Sequence, residues 1–144
     1  MLIHTASEGI TLSKKLETDS AKLYEELARR YAADADTFLS FARDNKKNIS
    51  QIERTYYGVI TDALEGGYAF NIDPDDYLLK TEAPEGASYA DILDQAAGNE
   101  ETIIKFYTDA AEQSKSLMAD VPRAFTIVAR KRGERLQRLK ELNK

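Results

Sequence analysis

The sequence predicts an all-α fold: a four-helix bundle of two repeated helical hairpins joined by a long crossover. Three observations carry that expectation. Apolar residues recur at helical spacing along four long stretches. The pattern around Glu17 and Tyr24 returns eighty-three residues later around Glu100 and Tyr107. Only seven Gly and three Pro occur in the chain, few enough to leave long helices possible.

Each copy of the repeated segment sets a Glu seven residues before a Tyr. Two turns at about 3.6 residues per turn put both side chains on one helix face. That face runs through Ile10, Ser13, Glu17, Ser20, Tyr24 and Leu27 in the first copy. In the second it runs through Leu93, Glu100, Ile103, Tyr107 and Ala110. An acid sits inside an otherwise apolar or weakly polar stripe, twice.

Helix one is predicted from about Thr5 to Tyr31, with Glu, Lys and Arg over its outer face. The run 32–36 supplies a short break with Asp as N-cap. Phe38, Phe41, Ile49, Ile52, Tyr56, Ile60 and Leu64 then mark helix two, which ends at Gly66-Gly67. So short a connection makes helices one and two an antiparallel hairpin, spanning about 5–66. The stretch 67–87 holds Pro74, Pro84, Gly86 and an acidic turn at 73–76 without a sustained period, and reads as the crossover. No strand is expected. Ser88 with Asp91 forms a weak capping box for helix three, which runs to about Met118. Pro122 suits the first turn of helix four, whose stripe is Phe125, Val128, Arg132, Arg135, Leu136, Leu139 and Leu142, with Gly133 a mild weakness. The second hairpin covers about 88–142. Phe38–Arg43 matches Phe125–Arg130, eighty-seven residues apart, so helix two corresponds to helix four. The two hairpins can bury their stripes only against each other.

At 144 residues the chain fits a single domain with one substantial core. Its 42% hydrophobic and 31% charged residues are those of a folded protein. The absence of cysteine excludes disulfides, thiolate metal sites and cysteine nucleophiles. Neither a signal peptide nor a span of ~20 apolar residues is evident, so the chain reads as cytoplasmic with no membrane partner. The net charge of −5 gives no general pull toward nucleic acid. From Val121 onward, however, eight Lys or Arg stand against two Glu. No exposed aromatics interleave these cations, so nucleic-acid binding is not expected. His4, the single histidine, is expected to be an exposed terminal residue.

The Glu17-to-Tyr24 spacing within LETDSAKLYEELA, its counterpart Glu100 to Tyr107 within NEETIIKFYTDAA, and the Phe-x-x-x-Ala entries to helices two and four resemble the rubrerythrin-like branch of the ferritin-like superfamily. The resemblance covers all four helices. It implies a centre in which helices one and three each give a carboxylate and the others each give Glu-x-x-His, holding two metal ions. Glu17 and Glu100 match the two single-Glu positions. The remaining positions depart from the pattern: the first Glu-x-x-His falls on Asn45 and Asn48, the second on Arg132 and Arg135. Amide oxygen is a poor ligand for iron or manganese, and guanidinium has no lone pair to offer.

The departure is ordered. Two cations face two anions, and Arg132 and Arg135 are expected to stand where the metal ions would, balancing Glu17 and Glu100 while the Asn45 and Asn48 amides take up remaining donors and acceptors. Breaking such a cluster should cost ~3–5 kcal/mol. The plainer alternatives are a Glu at the edge of its helix face and Arg side chains lying over the core with solvated heads. Tyr24 and Tyr107 read as packing residues beside the cluster rather than redox groups, and the Asn pair could set helix register.

Two functions follow. The first is a non-catalytic bundle that has lost a di-iron centre and serves as a structural or interaction module, a homodimer with an unknown protein partner and no cofactor. The second is a rubrerythrin-like di-metal oxidase or peroxidase, or a metal-binding protein, with Asp44, Asp94 or Glu134 as substitute ligands for iron or manganese. A mononuclear or small-ligand site in the same cavity is a third possibility.

Overall fold

The structure, a computed structural model, describes residues 2–59, 68–115 and 120–143. Four α-helices dominate it: α1 (Ala6–Arg30), α2 (Ala35–Val59), α3 (Tyr89–Gln113) and α4 (Asp120–Leu142). Ile60, Leu64 and the Gly66-Gly67 stop expected for helix two lie outside the described residues, as do Met118 and Ala119 at the expected end of helix three. No described helix is long and apolar enough to cross a membrane.

α1 starts where the sequence offers reciprocal capping. The Thr5 side chain accepts from the Glu8 backbone N–H, and Glu8 Oε1 accepts from the Thr5 N–H at 3.1 Å. α3 starts on Ser88, which accepts from the Asp91 N–H at 3.1 Å. Between α1 and α2 a 3₁₀ turn (Ala32–Asp34) reverses the chain. The Asp34 carboxylate accepts from the Tyr89 hydroxyl and so ties the turn to α3.

α1 packs along α2 and α3 along α4, and the two pairs meet chiefly between α2 and α4. On α2 the buried side chains are Phe38, Phe41, Ala42, Asn45, Asn48, Ile52 and Tyr56, while Ile49 is only half-buried. The core-facing stripe thus passes through the two asparagines rather than through Ile49. Leu136 and Leu142 are likewise half-buried on α4, where Val121, Ala124, Phe125, Val128, Arg132, Arg135 and Leu139 face inward.

The crossover corrects two expectations. It contains a strand, β2 (Tyr68–Ile72), paired antiparallel with β1 (Ile3–Thr5) in the register Ile3 with Ile72 and Thr5 with Tyr68. β1, at three residues, is too short to show period-2 alternation, and in β2 only the buried Phe70 and Ile72 about the exposed Asn71 mark a strand. His4 is therefore a half-buried strand residue with Nδ1 3.4 Å from the Phe70 carbonyl, not an exposed terminal histidine. Beyond a 3₁₀ turn at Pro74–Tyr77, the chain crosses to α3 held by side chains. Asn99 brackets Lys80, accepting from its N–H and donating to its carbonyl at 2.9 Å each. Gln95 Nε2 donates to the Lys80 and Glu82 carbonyls, and Arg30 to those of Ala83 and Pro84.

The core divides in two. One apolar cluster gathers Leu12, Leu16, Ile52, Ile103, Phe106, Phe125 and Val128. The other gathers Leu23, Leu27, Phe38, Phe41, Leu93 and Leu139. Each of the four helices crosses from one cluster to the other through a polar stretch: Glu17 and Ser20 on α1, Asn45 and Asn48 on α2, Asn99 and Glu100 on α3, Arg132 and Arg135 on α4.

Candidate functional site

The polar layer between the two apolar clusters is the candidate site. Glu17, Asn45, Glu100 and Arg132 are fully buried, Asn48 nearly so, and Arg135 is 6% exposed. These six residues sit on four helices because each occupies a core-facing position of its amphipathic stripe.

Arg132 is the hub. Its Nη1 donates to Glu100 Oε1 at 2.8 Å and Oε2 at 2.7 Å, and to Ser20 Oγ at 3.2 Å. Its Nη2 donates to Glu17 Oε2. One guanidinium therefore joins two carboxylates that belong to helices otherwise in little contact. Arg135 makes a second approach to Glu100, Nε to Oε1 at 3.5 Å, and anchors on α2 by donating to Asn45 Oδ1 at 2.5 Å and to the Phe41 carbonyl at 3.0 Å. Asn45 completes the circuit by donating from Nδ2 to the Glu17 backbone carbonyl at 3.2 Å. Ser20 is a participant that the sequence placed on the face without giving it a part in the cluster. Its signal was its position one turn after Glu17.

The tyrosines flank this layer on opposite sides. The Arg135 guanidinium lies 5.3 Å from the centre of the Tyr24 ring and 4.9 Å from that of Phe41, against two rings that meet edge to face, and these cation–π contacts help compensate its loss of water. Tyr107, in the other apolar cluster, shares a 2.9 Å hydrogen bond with Ser13 Oγ. The Tyr24 hydroxyl, by contrast, senses Glu100 and Arg135 yet makes no hydrogen bond of good geometry.

Burial dominates the electrostatics. It drives the Glu100 carboxyl up to about 7, with the Arg135 charge and the Tyr24 hydroxyl pulling the other way. It drives the Arg132 guanidinium well below its ordinary range, and the like charge of Arg135 adds to that. With Arg132 touching both Glu100 oxygens the charged pair is the favoured form, and burial raises the cost of separating it. Formal charge over Glu17, Glu100, Arg132 and Arg135 sums to zero. Bonding is incomplete all the same: Glu17 Oε1, Asn48 Oδ1 and Arg132 Nε are buried without a hydrogen-bond partner.

These residues do not fit a di-metal centre. The donor set is two carboxylates already engaged by guanidinium, and no group of three or more His, Asp or Glu among the described residues could hold a metal ion. Asp44, Asp94 and Glu134, the alternative ligands, are exposed, the first and last of them at the mouth of a cleft and not within the buried layer. Asp94 accepts from Asn143. At one edge of the layer Arg135 and Asn48 border this cleft of about 430 Å³ between α2 and α4, rimmed by Lys47, Lys131 and Arg138 and by the carboxylates of Asp44 and Glu134. No family model, curated protein or solved structure matches the chain.

Proposed function

We propose that the chain is a rubrerythrin-related, ferritin-like bundle whose di-iron centre has been replaced by an ion cluster of its own side chains. In this reading it works without catalysis, as a structural or interaction module that pairs with a second copy of itself. The observation that carries the reading is the Arg132 guanidinium between Glu17 and Glu100, with Arg135 beside it. Two cations between two buried carboxylates supply the positive charge that a pair of metal ions would otherwise supply.

Internal duplication supports the reading. α1 and α3 are each 25 residues long. Their N-caps, Thr5 and Ser88, stand eighty-three residues apart, the same interval that separates Glu17 from Glu100 and Tyr24 from Tyr107. A duplicated hairpin supplies one carboxylate per copy at equivalent depth. The helix partners α2 and α4 differ at the matching positions, Asn45 and Asn48 in one and Arg132 and Arg135 in the other, which makes the layer asymmetric and charge-balanced.

Metal content tests the reading. The chain is expressed in iron- and manganese-supplemented medium and assayed by elemental analysis, with Glu17→Ala as control. The expected result is metal far below stoichiometry in both proteins. One or two ions per chain that disappear in Glu17→Ala would overturn the proposal and restore the oxidoreductase reading.

A further inference from the structure

Among the described residues three large apolar side chains are exposed: Leu2, Leu39 and Leu78. Single exposed leucines are ordinary on protein surfaces. Two features set Leu78 and Leu39 apart: the rigidity of the one and the charge that surrounds both.

Leu78, at 71% exposure, is the most exposed of the three. It is not on a slack loop. Just before it the Asp73 side chain caps the Pro74–Tyr77 turn at 3.0 Å, and the Tyr77 hydroxyl is anchored on Asp109. Just after it the Asn99, Gln95 and Arg30 side chains fasten the backbone from Lys80 to Pro84. An apolar side chain is thus held out in water from a strap whose conformation is already fixed, which lowers the entropy lost when that side chain is covered. The strap is acidic: residues 73–85 carry Asp73, Asp75, Asp76, Glu82 and Glu85 against Lys80 alone.

Leu39 has the opposite setting. With Ala28 and Ala42 it lines a notch of about 360 Å³ between α1 and α2. The rim carries Arg29, Arg43 and Lys46 against Glu25. No ion pair engages Arg43 or Lys46 among the described residues. An apolar knob with acidic flanks and an apolar notch with basic flanks are complementary in shape and charge, and one chain presents both.

We infer that a second copy of the chain docks through these elements, the strap of each copy seating Leu78 in the Leu39 notch of the other. Twofold pairing forms the contact twice and closes the assembly, as isologous interfaces do. Leucine burial supplies the attraction that survives salt, and the Asp75/Asp76 and Arg43/Lys46 charges supply orientation and a salt-sensitive part. The inference rests on the homodimer of the proposed function and names its surface.

Sedimentation velocity across the micromolar range, at low and high salt, tests it on the full chain. Wild type should be dimeric at low salt and dissociate more readily at high salt. Leu78→Asp and the double variant Arg43→Glu/Lys46→Glu should each weaken association at least about tenfold. Leu2→Asp should not. Mixing the first two variants is the decisive arm, because the heterodimer keeps one intact strap and one intact notch facing each other. Recovered heterodimer supports the pairing and shows that both variants are folded. Variants that dimerise like wild type, or a mixture that recovers nothing, would overturn this interface while leaving self-association standing. A wild type that stays monomeric throughout would overturn the homodimer itself, and neither result bears on the metal assay.

Discussion

Arg132 and Glu100 form the closest two-oxygen contact among the described buried residues: a single nitrogen, Nη1, lies 2.8 Å and 2.7 Å from the two carboxylate oxygens, and both residues are fully buried. Because Nη2 of the same side chain reaches Glu17, the guanidinium acts as a strut between α1, α3 and α4. In a layer flanked by apolar clusters on both sides, charges of this kind persist only as a neutral set.

Removing the strut should therefore be expensive. Arg132→Ala leaves two buried carboxylates without their shared cation and is expected to destabilise the fold by ~3–5 kcal/mol in urea unfolding. Replacing Glu17, Glu100, Arg132 and Arg135 together by Leu and Met of similar volume is expected to leave stability unchanged or raise it by ~1–4 kcal/mol. A quadruple variant less stable than Arg132→Ala would show that the cluster is more than a mutually compensating set.

The two repeat tyrosines should respond oppositely. Ser13→Ala strips the buried Tyr107 hydroxyl of its partner and is expected to cost ~1–3 kcal/mol. Tyr24→Phe removes a buried hydroxyl that makes no hydrogen bond of good geometry, so it is expected to be neutral or stabilising. Thermal unfolding of both variants decides it.

Two helical glycines should also diverge. A Cβ at Gly133 meets nothing within 4 Å, so Gly133→Ala is expected to add about 1 kcal/mol by restricting the unfolded chain and improving helix propensity. A Cβ at Gly9 would fall 2.6 Å from the Phe70 ring, which is itself buried and packed against Phe125. Gly9→Ala should lose ~1–3 kcal/mol to overpacking, more than the propensity gain returns. Equal signs for the two substitutions in chemical unfolding would refute this packing account.

At high pH the protein should fail through its tyrosines. Burial raises the hydroxyls of Tyr24, Tyr77, Tyr89 and Tyr107 above the ordinary value of 10.0, and Asp109 and Asp34 add to this at Tyr77 and Tyr89. The native state then holds protons that the unfolded chain releases, so the stability these groups contribute is complete below the unfolded value and declines as pH rises beyond it. In a spectrophotometric titration at least four of the eight tyrosines should ionise only together with loss of helical signal. Smooth ionisation of all eight in a still-folded protein would contradict the assignment.

Much of the fold is legible in the sequence because helices advertise themselves locally. The 3.6-residue period locates all four, Ser88 announces its own cap, and the Glu17/Glu100 repeat by itself marks two acids at equivalent depth. The residues of the polar layer are likewise identifiable by position, since Asn45, Asn48, Arg132 and Arg135 follow the buried stripes of α2 and α4 at fixed intervals. What stays hidden depends on contacts between segments far apart in the chain. Pairing of β1 with β2 joins a three-residue strand, too short to carry a period, to a five-residue strand more than sixty residues away. Asn99 shows no sequence sign of clamping Lys80. Charge alone could not choose between Arg132 and Arg135 as the bridge, because either guanidinium could balance either carboxylate. The distances between packed helices made that choice, placing Arg132 within reach of both acids and Arg135 beside Glu100 alone, with its guanidinium on Asn45, the Phe41 carbonyl and the Tyr24 ring.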